Sequence, residues 1–232
     1  MMSRMPVPIM RQAVATLHIV TLVAFLCLIA PVAVHAAPPD PQVIPIAKAR
    51  HLPLGTVVTV EGSVTVPSGA FRSSTFDQGF AMQDHTGGIY VSVADNLGFA
   101  PGQQVRVTGT LADNVLPGLL VLNDVTDVEA QGSGLTVQPL PVAIAAVGEA
   151  TEGKLVRITG TIQFIEDDLP FGFSLVVHDG SGEVNVFVCA STGIDVSGLS
   201  PGQTIKVTGF SGQFADHFEV DPRFQNDIKV IP

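Results

Sequence analysis

The chain has 232 residues, 46% of them hydrophobic and 14% charged, with 23 Gly, 17 Pro, two Cys and no Trp. So small a charged fraction excludes a solvated disordered chain and a coiled coil, and the frequent Gly and Pro require many turns. Eleven Lys and Arg stand against 21 Asp and Glu, a net charge of −10, which speaks against the strongly basic footprint of a dedicated duplex-DNA binder.

The first segment has the pattern of a targeting signal. Arg4 and Arg11 precede an almost wholly apolar run from Ala13 to Ala30, Pro31 breaks it, and Val34-His35-Ala36 supplies the small residues that a signal peptidase reads. Residues 1–36 are therefore expected to be a secretory signal peptide cleaved after Ala36. The competing reading is a single membrane anchor, because the apolar run approaches spanning length; Pro31 and the small-residue site favour cleavage, with no stable membrane anchor left behind. Cys27 lies inside the run after Leu26, which is not the setting of a lipoprotein cysteine. Arg4 and Arg11 leave with the signal, so nine cations face 21 acids, a balance of −12. Cys189 is then the one remaining cysteine, so an exported product has no internal disulfide and its stability must come from a packed core. That thiol reads as a small half-buried residue at a strand end, with pairing between chains as the alternative.

The remainder is one unit written twice. Gly55-Thr-Val-Val-Thr-Val-Glu-Gly62 matches Gly153-Lys-Leu-Val-Arg-Ile-Thr-Gly160, and Pro101-Gly-Gln-Gln-Val-Arg-Val-Thr-Gly109 matches Pro201-Gly-Gln-Thr-Ile-Lys-Val-Thr-Gly209. Asp84-His-Thr-Gly87 likewise matches Asp179-Gly-Ser-Gly182, and Asp127-Val128 matches Asp227-Ile228. Four anchors in one order with a nearly constant offset mark a duplicated domain rather than a solenoid of many units. The expected boundaries are 37–134 and 135–232, with Gln131-Gly-Ser-Gly134 as linker.

Each copy is expected to hold five strands. After a short helical entry at Ile44 to His51, the strands of the first copy fall near Val57–Val66, Gly79–Gln83, Gly88–Val93, Gln104–Leu111 and Leu119–Glu129. After an entry at Val142 to Glu149, those of the second fall near Leu155–Ile165, Gly172–Val177, Glu183–Val188, Thr204–Phe210 and His217–Val230, the last interrupted at Pro222. Val105-Arg-Val107-Thr and Ile205-Lys-Val207-Thr alternate with the period of a sheet that has one wet face. Asp-x-x-Gly between the second and third strands is hairpin chemistry. Five short strands bury a core only when the sheet closes or pairs, and a closed barrel leaves the least edge exposed.

Both copies resemble the bacterial extracytoplasmic OB-fold domains that are often fused to secreted nucleases or other surface enzymes. The resemblance rests on the Gly79-Phe80…Asp84-x-Thr-Gly87 hairpin and its counterpart, the Pro-Gly-Gln-x-Φ-[Arg/Lys]-Val-Thr-Gly fourth strand, and the closing Pro222-Arg223…Asp227-Ile228. It covers nearly all of the chain beyond residue 36, and no attached nuclease domain accompanies it. It implies an all-β fold of two tandem five-stranded OB-fold barrels after a cleaved signal peptide.

In such barrels a ligand crosses the outer face of strands two and three, beside the loops after strands one and four. Alternation turns Val91, Val93, Val184, Val186 and Val188 inward, and Tyr90, Ser92, Asn185 and Phe187 outward. On neighbouring strands Arg106, Thr108, Arg157, Lys206 and Thr208 also point outward. An aromatic beside a cation suits base stacking with phosphate contact, so Tyr90 near Arg106, and Phe187 near Lys206 or Arg157, are candidate platforms; the alternative is that Phe187 packs on the other domain or a loop. Phe71, Arg72 and Phe76 on the loop after the first strand are candidates to clamp a chain-like ligand, or fold back on a mobile excursion. The matching Glu166-Asp167-Asp168 of the second copy would repel phosphate and reads as a solvated acidic loop, since its spacing is not that of a Ca²⁺ loop.

His85, His178 and His217 lie on different elements without metal-ligand spacing, and no nucleophile elbow, phosphate loop or Cys/His signature occurs. No catalytic residue, metal or cofactor is assigned. The expected function is a non-catalytic exported module, secreted, on the cell surface or periplasmic, that binds single-stranded nucleic acid or a similar chain-like ligand. The −12 balance opposes phosphate binding, which leaves an adaptor or adhesion module for envelope proteins or glycans as the alternative. A hydrolase is supported by the exported setting alone.

Overall fold

The computed structural model describes residues 42–113 and 118–232. The expected signal peptide lies outside the described residues. The first half runs α1 (Ile46–Arg50), β1 (Val57–Val66), α2 (Arg72–Thr75), β2 (Phe80–Gln83), β3 (Gly88–Val91), β4 (Gln103–Asp113) and β5 (Leu120–Ser133). Its strands close into a barrel in the order β1-β2-β3-β5-β4, with β3 and β5 parallel and the other pairs antiparallel. Val60, Phe80, Met82, Ile89, Val107 and Leu111 fill it, the inward set that period-2 alternation selects, and Ile46 of α1 joins them.

The second half runs β6 (Leu140–Pro141), a single 3₁₀ turn at Ile144–Ala146, β7 (Leu155–Asp168), β8 (Gly172–His178), β9 (Glu183–Cys189), β10 (Thr204–Phe214), β11 (His217–Asp221) and β12 (Ile228–Ile231). Its sheet also closes on itself, because β10 pairs with β7 as well as with β11, giving the ring β7-β8-β9-β11-β10. Ile158, Ile162, Leu175, Val186, Val207 and Val220 fill this second barrel. The last strand breaks after Asp221 as Pro222 requires, and β12 then resumes beside β10.

The repeated Asp of each β-hairpin has a structural task. Asp84 Oδ1 accepts the N–H of Thr86 and of Gly87, while Oδ2 accepts the N–H of Ile46 at 2.9 Å and so fixes the start of α1. Asp179 accepts the N–H of Ser181 and, at 2.9 Å, of Ile144 at the 3₁₀ turn; the Ile144 and Ser181 hydrogen bonds hold its carboxyl down to about 2.

Three expectations are corrected at their edges. Gln131 to Ser133 belong to β5, so residues 134–139 make the connection between barrels. Glu166, Asp167 and Asp168 are the end of β7, paired with Ser174, Phe173 and Gly172, rather than a loop. The helical entries shrink to five and three residues, because neither segment is long enough to sustain a helix without tertiary support.

The described residues form one compact unit, and a third apolar cluster explains why. Val66, Phe71 and Tyr90 from the first barrel meet Phe187, Cys189 and Phe210 from the second; the Phe71 and Phe210 rings lie 6.1 Å apart, and Tyr90 meets Phe210 edge-on at 6.2 Å. A bulge at Val64/Val66 makes this possible, since it leaves Val64 in the barrel and sends Val66 to the seam. Polar contacts frame the cluster. Arg50 Nη2 sits 2.8 Å from Glu152 Oε1, which also accepts the Leu120 N–H, and Gln83 Oε1 accepts the Leu155 N–H at 2.9 Å. Gly88 and Gly153 let the two backbones touch, for a Cβ on either would collide with the other's carbonyl oxygen.

Candidate functional site

The outward-facing residues of the two barrels meet different fates. Tyr90 does point away from its barrel core, but onto the second barrel, where it is 1% exposed. Its hydroxyl donates to Asp77 Oδ1 at 2.7 Å, and burial, then the Asp77 charge, push its pKa well above that of a free tyrosine. Phe71 and Phe187 are buried in the same seam. The expected stacking platforms at Tyr90 and Phe187, and the Phe71 clamp, are thus corrected, and for Phe187 the alternative of packing on the other domain holds: apolar surface on two adjoining barrels is removed from water by pairing. Ser92 is drawn in as well, its hydroxyl bound to Asp77 Oδ2 at 2.6 Å. Arg72 is exposed at the start of α2, and Phe76 ends that helix in a left-handed conformation, 68% exposed.

Arg106 is held between two acids. It faces Glu61 on β1 and Glu129 on β5 in register, with Nε 2.7 Å from Glu61 Oε1 and Nη1 3.7 Å from Glu129 Oε2. Its charge is compensated locally. The same place in the second barrel is built differently. Lys206 on β10 faces Thr159 on one side and Lys229 of β12 on the other, and Arg157 lies beside Thr208, donating from Nε at 3.3 Å.

These residues line a groove of about 550 Å³ on the outer side of β7, β10 and β12, walled by Thr136 to Pro139 and floored near Thr65. Arg157, Lys206, Arg223 and Lys229 all border it, four of the nine cations that follow residue 36. Arg223 is partnered by Asp227, 2.9 Å from its Nε, and donates from Nη1 to the Thr65 carbonyl at 2.6 Å, so it ties the groove to the first barrel. Among the described residues Arg157, Lys206 and Lys229 make no ion pair. Phe224, 42% exposed, lies at the groove under the Arg223 guanidinium, 5.3 Å from its ring centre. The sequence reasoning missed Arg223, Phe224 and Lys229. The signal was present: Lys229 stands 100 residues after Glu129 as Lys206 does after Arg106, so the repeat exchanges an acid for a base beside a retained cation.

The outer face of strands β8 and β9, where the expected site also lay, is a separate cleft of about 280 Å³. Asn185 and Phe187 reach it from β9, Phe76 from the first barrel, Phe171 from the β7–β8 turn and Glu219 from β11. Asn185 Nδ2 donates to Glu219 Oε2 at 3.2 Å, while its own Oδ1 is buried without a partner. Burial pushes the Glu219 carboxyl up to about 7, against the opposing Asn185 hydrogen bond. Asp221, deeper on the same strand, is raised well above the usual range by burial and then by Glu219. Among the described residues no three His, Cys, Asp or Glu side chains converge as a metal set would.

No family model matches the chain, and no curated protein matches it. Among solved structures it is similar to the OB domain of MM0293 from Methanosarcina mazei, at 13% identity over 41% of this chain and 86% of that one, with a TM-score of 0.36. It is also similar to the hypothetical protein ygiW from E. coli, at 18% identity over 40% of this chain and 92% of that one, TM-score 0.31. A murine DNA binding protein, solved bound with double-stranded DNA, covers 75% of this chain with 95% of its own length at 16% identity and a TM-score of 0.39.

Proposed function

We propose that the protein is a non-catalytic, exported module of two tandem OB-fold domains that binds single-stranded nucleic acid along the second barrel. The groove bordered by Arg157, Lys206, Arg223 and Lys229 carries this reading, because it concentrates cations on one face of a chain whose overall balance is acidic. A local potential, rather than net charge, sets phosphate binding at that range, since the field decays within about 10 Å at ordinary salt. Phe224 favours single strands, as an exposed ring beside cations offers a stacking surface to unpaired bases. The groove lies on β7, β10 and β12, and not on the β8–β9 face. The apolar run before Pro31 and the small residues at Val34 to Ala36 support export, and nothing in the repeat motifs supports a reaction.

The test is anisotropy of labelled single-stranded DNA titrated with the protein at rising salt. Three or four phosphate contacts predict a log–log salt slope of about −2 to −3, from about −0.7 per contact. Absence of binding at low salt, or binding indifferent to salt, contradicts the proposal.

A further inference from the structure

We propose that the cleft framed by α2, β8–β9 and the β10–β11 hairpin binds an organic ammonium ion on a short alkyl stem, at a site separate from the basic groove. Its carboxylates are Glu219 and Asp168, beside the amide of Asn185, the hydroxyls of Ser74 and Ser174 and the imidazole of His217. Asn185 Oδ1 is buried beside the cleft without a donor, and its direction is set by the Nδ2 bond to Glu219, so it adds acceptor capacity that an N–H or polarised C–H would complement. Glu219 and Asp168 stand at the same cleft, and among the described residues no Lys or Arg lines it. An anion is thereby disfavoured and a cation is complemented.

The apolar lining points the same way. Phe76, Phe171, Phe187 and Phe214 surround the space, with Phe76 and Phe171 edge-to-face at 5.9 Å and Phe214 and His217 likewise at 5.6 Å. Aromatic faces attract an ammonium through the ring quadrupole, most strongly where water is excluded. A volume near 280 Å³ suits a small ligand. Phe76 and Ser74 come from the first barrel and the rest from the second, so the site exists only in the docked pair.

Binding is measured calorimetrically at pH 8 with three probes: choline, a capped lysine amide, and 3,3-dimethylbutan-1-ol, the uncharged isostere of choline. Saturable binding of a charged probe, at least about tenfold tighter than the isostere, is expected. Glu219→Gln should weaken that probe about tenfold or more, and Phe76→Ala, which alters an exposed side chain and no core, several-fold. Tighter binding of choline assigns a free ammonium, and tighter binding of the lysine amide assigns a protein side chain; either supports the proposal. Equal binding of the isostere, no saturable binding up to about 10 mM, or indifference to both substitutions overturns it.

Discussion

The two barrels share a strand order and differ on both of their outer sides. On the side of β3 and β5, Tyr90 pairs with Val121, and this apolar face is covered by the second barrel. At the matching place on β9 and β11, Asn185 pairs with Glu219, and the face stays open as a cleft. On the opposite side the first barrel locks Arg106 between Glu61 and Glu129, whereas the second sets Lys206 against Lys229 and leaves both unpaired among the described residues. The two cores are alike, and the difference lies outside them: one barrel has its apolar face covered, and the other carries the cleft and the cation-lined groove.

The largest effect should come from removing the support. Tyr90→Ala takes away a buried ring and is expected to cost about 3–5 kcal/mol of stability in chemical denaturation. Asn185→Ala at the matching place should cost no more than about 1.5 kcal/mol. Equal losses would mean that the seam does not distinguish the two faces.

The open face sharpens the comparison through pH. Folded Glu219 keeps its proton up to about 7, whereas an unfolded glutamate releases it near 4.3. The folded state therefore binds more protons in between, so this stabilisation is complete below about pH 4.3 and is lost as pH rises through about 7. Glu219→Gln, which can still accept from Asn185, should remove that decline and stabilise the protein at pH 8 by on the order of 2–3 kcal/mol. A variant with the same pH profile as the parent would show that Glu219 is ionised and solvated.

Much of this architecture was legible in the chain. Gly and Pro anchors at a nearly constant offset marked the two units, and alternation in Val105 to Thr108 gave the face of each residue, because side-chain period is a local property. Pro222 announced the break that separates β11 from β12. What alternation cannot say is what covers an outward face, and so Tyr90 is placed correctly by direction and wrongly by exposure, while Phe187 takes the packed alternative. Covering depends on how two barrels dock, which rests on long-range matches such as Arg50 with Glu152 and Gly88 against Gly153. The groove was half legible: Arg157 and Lys206 were singled out, but Lys229 and Phe224 join them only through the pairing of β12 with β10.

The central claim is that the second barrel, and not the first, carries the nucleic-acid groove. Its most direct test titrates labelled single-stranded DNA with the Lys206→Ala/Lys229→Ala variant and with Arg106→Ala, side by side at low salt. The account predicts that the double variant loses on the order of tenfold or more in affinity and about 1.4 in salt slope, from two contacts at about 0.7 each, while Arg106→Ala stays within about twofold of the parent. A larger loss from Arg106→Ala, or none from the double variant, would contradict it.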